Sequence, residues 1–197
     1  IAVGAALARA TGERLSKDAL LLRVMNLETR EIGVPTGNQD YLAALWGGLA
    51  GYQHRLDGVA RQPLPHADEI SSRLVLAYTG QPRQSGFSNW DMFRRYIEKD
   101  AATTRRMETI ARLARSMRDA LLAGDLDGTG RLLGEEGRLR YSLAPSVATD
   151  ALRAADGAAR QAGALGAKVC GAGGGGCMVA FAREGRLAGG PEPRPPG

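Results

Sequence analysis

Lys168-Val-Cys-Gly-Ala-Gly-Gly-Gly-Gly-Cys177 decides how the rest of this chain is read. Five glycines in the six positions 171–176 free the backbone to take positive φ and to turn several N–H groups the same way. A concave set of amides suits a phosphate or another anion. Ala167-Lys-Val-Cys170 before the glycines and Cys177-Met-Val-Ala-Phe-Ala182 after them are strand-like, so the run joins two strands. That context excludes two familiar phosphate motifs. Gly171, Gly173 and Gly176 satisfy the spacing GxGxxG, but no helix follows and too little chain remains for a βαβ unit. No Lys-Ser/Thr pair follows either, which excludes a P-loop. Two readings stay open: an anion cradle, or a tight hairpin at which two backbones pack closely.

Upstream of the glycines the pattern is mostly helical. Helices are predicted over about 126–142, with Leu126, Leu132, Leu133 and Leu139, and over about 146–164. A long helical pattern runs from Trp90 to Ala123, with Met107, Ile110, Ala114, Met117 and Leu121 as its apolar face and Gly124 at its end. Gln81–Asn89 reads as a loop and Ser72–Tyr78 as a strand. Nearer the N-terminus, helices are predicted over 1–11, 17–31 (with Ser16 as N-cap) and 38–46, and a strand over 49–54. Residues 57–68, with Pro63 and Pro65, read as a connection and place the domain boundary. The expected organisation is 1–64, 65–185 and a disordered, Gly/Pro-rich tail at 186–197. Strands, then helices, then strands again argue for an α+β fold.

A second local signal lies between Glu28 and Asp40. Glu28 sits near the end of a helix, and Asp40 starts another after the turn Gly33-Val-Pro-Thr-Gly37. Carboxylates joined by such a turn can share a divalent metal or act as acid and base. Equally, Glu28 can be a solvated helix residue and Asp40 an acid favoured by a helix dipole.

Composition narrows the function classes. The chain has 197 residues, net charge +5 and 44% hydrophobic residues, which is ordinary globular chemistry. Its basic residues are scattered, Arg94–Arg95 and Arg105–Arg106 being the only adjacent pairs, so nucleic-acid binding is not expected. No apolar run approaches the length of a membrane span, and no membrane partner is expected. Cys170 and Cys177 are too few for a disulfide framework, match no zinc spacing, and fit a reducing cytoplasm as small buried residues flanking the turn. His54 and His66 stand at no catalytic or ligand spacing.

Taken in order, Glu28-Thr-Arg-Glu-Ile-Gly-Val-Pro-Thr-Gly-Asn-Gln-Asp-Tyr41 and the glycine run resemble two segments of the GHMP kinases, the galacto-, homoserine, mevalonate and phosphomevalonate kinases. The resemblance covers residues 1 to about 183. It implies part of that family's N-terminal domain followed by its ferredoxin-like C-terminal domain. ATP would lie at Gly171, Gly173, Gly174, Gly175 and Gly176, with Asp40 as the catalytic base and Glu28 holding Mg²⁺. Thr36, Gly37 and Tyr78 would face the acceptor. The wording Gly37-Asn-Gln-Asp-Tyr41 is similar to sugar kinases, heptose-phosphate kinases above all, which implies a sugar or sugar-phosphate acceptor. A galactokinase, a mevalonate-pathway kinase and a non-catalytic sugar-binding relative are the alternatives. Cys177 departs from the aromatic or aliphatic residue common there. The family's phosphate loop, Pro-x-x-x-Gly-Leu-Gly-Ser-Ser, would stand just before Ile1. The sequence is therefore expected to be the later part of a longer kinase and inactive by itself.

Overall fold

A computed structural model describes residues 1–33, 36–82, 86–143, 147–171 and 173–185, without the side chains of 86–89 and 91. Backbone proximity divides the chain into two compact units, Ile1–Ala50 and Gly51–Gly197. The first is built from three helices: α1 (Ala2–Ala10), α2 (Lys17–Ile32) and α3 (Gln39–Trp46). Ser16 caps α2 as its sequence position predicts, its hydroxyl accepting from the Ala19 N–H at 3.1 Å. Gly33 ends the helix in the left-handed conformation, φ 69°. Gly4 lets α1 approach α2, since a β-carbon there would lie 2.6 Å from Val24 Cγ2. Lys17 ties α2 to α3, donating to Leu45 O at 2.7 Å and lying over the Trp46 ring at 5.3 Å.

The second unit begins with a hairpin of β1 (Ala50–Arg55) and β2 (Gly58–Pro63). Gly58–Pro63 is thus a strand where the sequence suggests a connection. A two-residue turn, Leu56-Asp57, allows the pairing, and Pro63 is the last residue of its strand, with the interior free of proline. A helix not foreseen, α4 (Ala67–Arg73), takes the first residues of the expected strand, leaving β3 at Leu74–Tyr78.

The expected long helix is two, α5 (Gly86–Ile97) and α6 (Ala101–Leu122). Lys99 breaks them apart at φ 59°, and the Asp100 carboxylate restarts the helix by accepting from the Thr103 N–H at 2.8 Å. Because α5 starts at Gly86, the loop expected over Gln81–Asn89 is shorter than predicted, and 83–85 fall outside the described residues. The buried face of α6 runs through Thr103, Leu113 and Leu121, while Ala114 is exposed. Next come α7 (Leu126–Tyr141) and α8 (Asp150–Gln161), then β4 (Gly166–Val169) and β5 (Cys177–Phe181). The tail expected to be disordered lies outside the described residues. No described helix is long and apolar enough to cross a membrane.

β3, β5 and β4 form an antiparallel sheet in the order β3-β5-β4. Tyr78 pairs with Cys177 and Val169 with Met178, so the end of β3 meets the strand that leaves the glycine run. The core joins Val147, Leu152, Ala167, Val169, Met178 and Ala180. Leu152 is wholly buried, which contributes about 1.5–3 kcal/mol relative to an exposed side chain.

Against β4, α7 turns glycines rather than its leucines. A β-carbon at Gly134 would lie 2.7 Å from Gly166 Cα, and one at Gly137 would overlap the Ala167 carbonyl. Beside them, buried Glu136 accepts from Arg140 Nε at 2.9 Å and pairs with Lys168 Nζ at 2.9 Å. Burial alone would raise the Glu136 carboxyl, but the Lys168 and Arg140 charges overcome that and hold it below its ordinary value.

Candidate functional site

The glycine loop closes the β4–β5 hairpin. Cys170 N–H donates to Cys177 O at 2.8 Å and shuts its neck. Beyond the neck, Gly171, Gly173, Gly174, Gly175 and Gly176 have φ of 68°, 85°, 76°, 125° and 78°. All five are in the region that a side chain disfavours, so the composition of the loop follows from its backbone path. Two of them also sit where no β-carbon fits. At Gly173 it would lie 2.7 Å from Val147 O, and at Gly175 2.8 Å from Pro82 O.

The two readings left open by the sequence meet here. The loop is a closely packed hairpin, and two of its amides are used internally: Gly174 N–H donates to Val147 O at 3.0 Å and Gly176 N–H to Gln81 O at 2.9 Å. The amides of Gly171, Gly173 and Gly175 make no backbone hydrogen bond among the described residues. An anion could recruit those three, so the cradle is narrower than five glycines suggest. Cys170 and Cys177, expected to be buried, are half-buried and form no disulfide.

In the first unit, α2 and α3 bring Glu28 to Tyr41. The Tyr41 hydroxyl donates to Glu28 Oε2 in a short hydrogen bond. Burial, and then this bond, push the Tyr41 hydroxyl above its ordinary value of 10.0. Thr36 joins the same corner, its hydroxyl 3.1 Å from that of Thr29. Asp40 lies in the first turn of α3, exposed beside buried Tyr41 and Leu42, and Gly37 is exposed two residues before the helix. Tyr41 was not singled out by the sequence reading. Its position thirteen residues after Glu28, across the turn, is the signal that could have found it.

Tyr78 ends β3 and is 64% exposed, so it is open to a ligand and has no core role. Glu28, Thr36, Gly37 and Asp40 belong to the first unit, and Tyr78 and the glycine loop to the second. Among the described residues no group of three or more His, Cys, Asp or Glu could hold a metal ion. A cavity of about 210 Å³ lined by Glu69, Arg73 and Arg183 lies toward the opposite end of β3 and includes none of the expected site residues.

Comparison with known proteins gives this geometry its class. Residues 117–189 match the family model of the GHMP kinase C-terminal domain. The chain is 30% identical over 186 residues to the mevalonate kinase of Pyrococcus horikoshii, an alignment covering 92% of this chain and 53% of that protein. Among solved structures, L. major mevalonate kinase in complex with R-mevalonate matches with a TM-score of 0.68 at 23% identity, over 87% of this chain and 51% of that one. Lactococcus lactis galactokinase complexed with galactose also matches at 0.68, with 20% identity, over 91% and 55%. These two likenesses establish a shared fold. Residues 117–189, in the second unit, thus match the C-terminal domain of the GHMP kinases, and the chain as a whole is similar to mevalonate kinases. It spans about half the length of the mevalonate kinases it matches.

Proposed function

We propose that this chain supplies the later part of an ATP-dependent small-molecule kinase, transferring the γ-phosphoryl group to a hydroxyl of a sugar or sugar phosphate. The observation that carries the reading is the glycine loop: five left-handed glycines at one hairpin, three of whose amides make no backbone hydrogen bond among the described residues. The acceptor class rests on the segment Gly37-Asn-Gln-Asp-Tyr41.

In this reading Asp40 accepts the proton of the acceptor hydroxyl as its oxygen attacks the γ-phosphorus. The phosphorus–oxygen bond to ADP breaks as the new one forms. An exposed carboxylate at a helix start is open to a small substrate, and α3 holds it at a fixed position beside buried Tyr41. Thr36, Gly37 and Tyr78 are the acceptor-side residues. Glu28 fits a metal that arrives with the nucleotide, because Mg²⁺ in phosphoryl-transfer sites takes one or two carboxylates and completes its shell with phosphates and water. Mg²⁺, when bound, supplies charge neutralisation on the phosphates. Tyr41 orients the Glu28 carboxylate by donating to one oxygen.

A mevalonate-type acceptor is the second reading, favoured by the 30% identity to the Pyrococcus horikoshii mevalonate kinase. The test is an ATP-consumption screen of the full-length gene product with hexoses, heptose phosphates and mevalonate. Turnover with one acceptor class selects between the two. Nucleotide binding without turnover on any of them would favour a non-catalytic relative, and no nucleotide binding would end the proposal. Residues 1–197 assayed alone should show no turnover, since in-line transfer needs both reactants held.

A further inference from the structure

The glycine loop does not hold its own shape. A run of left-handed glycines loses more conformational freedom on ordering than any other sequence, so something outside it must fix it. The turn after β3 does so. Gly176 O accepts twice from one residue, from the Thr79 N–H at 2.9 Å and from Thr79 Oγ1 at 2.8 Å. The Gly176 N–H donates to Gln81 O at 2.9 Å, so both polar groups of Gly176 are held by residues 79–81. Gly175 lies against the same turn, its missing β-carbon leaving room for the Pro82 and Gln81 carbonyls. On the other flank Val147 O holds Gly174 at 3.0 Å.

We infer that Thr79 is a positioning residue for nucleotide binding: its hydroxyl clamps Gly176 and thereby keeps the remaining glycine amides in the arrangement a phosphate meets. This rests on the nucleotide reading proposed above. A backbone strand pair alone would supply the N–H bond from Thr79. The hydroxyl bond is additional, and it ends on the loop. Thr79 is half-buried, so water does not fully replace that bond when it is lost. Ordering the loop before the ligand arrives lowers the entropy cost of binding, and losing the clamp therefore weakens affinity.

The experiment compares Thr79→Val, which keeps the branched shape and the N–H, with Thr79→Ser, which keeps the hydroxyl. In the full-length gene product, the Kd for AMPPNP with Mg²⁺ should rise about 3–10-fold in the valine variant, the worth of one hydrogen bond. The serine variant should bind within about twofold of the parent. Backbone hydrogen exchange, read without nucleotide, should show faster exchange at Gly174 and Gly176 in Thr79→Val only. Parent-like affinity and exchange in Thr79→Val would overturn the inference, as would serine failing to rescue. If the parent itself binds no AMPPNP, the nucleotide reading fails and takes the affinity role of Thr79 with it. The clamp on the loop is then decided by exchange alone.

Discussion

The glycine loop and the Glu28–Tyr41 corner are the regions proposed to carry the chemistry, and their residues are constrained in opposite ways. In the loop, left-handed φ at all five glycines, and missing β-carbon space at Gly173 and Gly175, account for the residue types without reference to any ligand. In the corner, Asp40 is exposed and stands in the first turn of α3, a favourable place for an acid. Sterics therefore explain the loop, whereas Asp40 is held by no such constraint, and its proposed role as base is open to test. Substitutions should separate the two regions: stability should fall in one and activity in the other.

The largest effect is expected at Asp40. Asp40→Asn in the full-length gene product should lower kcat by about 10²–10⁴, the usual worth of a positioned base. KM for ATP should change little. The helix-dipole contribution of an exposed first-turn acid is only about 0.3–1 kcal/mol, so the melting temperature should barely move. An unaltered kcat would remove Asp40 from the mechanism. A fall in stability as large as the fall in rate would make its role structural.

Gly175→Val probes the opposite pole. It places a branched side chain at φ 125°, facing the Pro82 carbonyl. Backbone strain and overpacking each cost about 1–3 kcal/mol, so destabilisation of about 2–5 kcal/mol is expected in urea titration. If the variant melts like the parent, the loop is not the packed hairpin that its geometry describes.

How much of this was legible in sequence follows the same division. The β4–glycine–β5 hairpin and the capped helix from Lys17 could be read because their signals are local: a glycine run between apolar strands, a serine before a periodic stripe. The break at Lys99–Asp100 was also local, but the apolar period continues across it and masks the cap. The glycine face of α7 was not legible. Gly130, Gly134 and Gly137 read as weak helix positions until β4 and Phe181 are seen pressed against them. Tyr41 pairing with Glu28 was missed for a related reason, since the contact forms only when the turn folds α3 back on α2. Asp40 as base, Glu28 as metal ligand and the acceptor-side roles of Thr36, Gly37 and Tyr78 stay proposals, because a side chain's chemistry toward a substrate is not written in its packing.

Glu136 sharpens the comparison with an effect of intermediate size. Glu136→Gln leaves Lys168 and Arg140 facing a neutral amide, and about 1–3 kcal/mol of stability should be lost at neutral pH. Because the folded carboxyl is held below its ordinary 4.5, the ionised form contributes stability that is present above that value. It is lost as pH falls through the folded value. The gap between parent and variant should therefore narrow in acid, and a gap that stays constant from neutral pH down to about pH 3 would show that ionisation is not its source.

The smallest effect is expected at Tyr41, and it tests whether the corner has a structural element of its own. Tyr41→Phe keeps the buried ring and removes only the hydroxyl that Glu28 accepts from, so about 0.5–1.5 kcal/mol should be lost at neutral pH. The sign of the pH dependence is opposite to that at Glu136. The Tyr41 hydroxyl titrates above its ordinary 10.0 in the folded chain, because burial and the neighbouring carboxylate penalise the phenolate. Its contribution is therefore complete below that value and is lost as pH rises through the folded one, where the unfolded chain gains by ionising first. Phenylalanine has no such loss. Thermal melts between about pH 8 and 11 should show the parent's advantage shrinking toward zero as the pH climbs. An advantage that persists unchanged at the alkaline end would mean that the hydroxyl is solvated, and that Glu28 is held by something other than Tyr41.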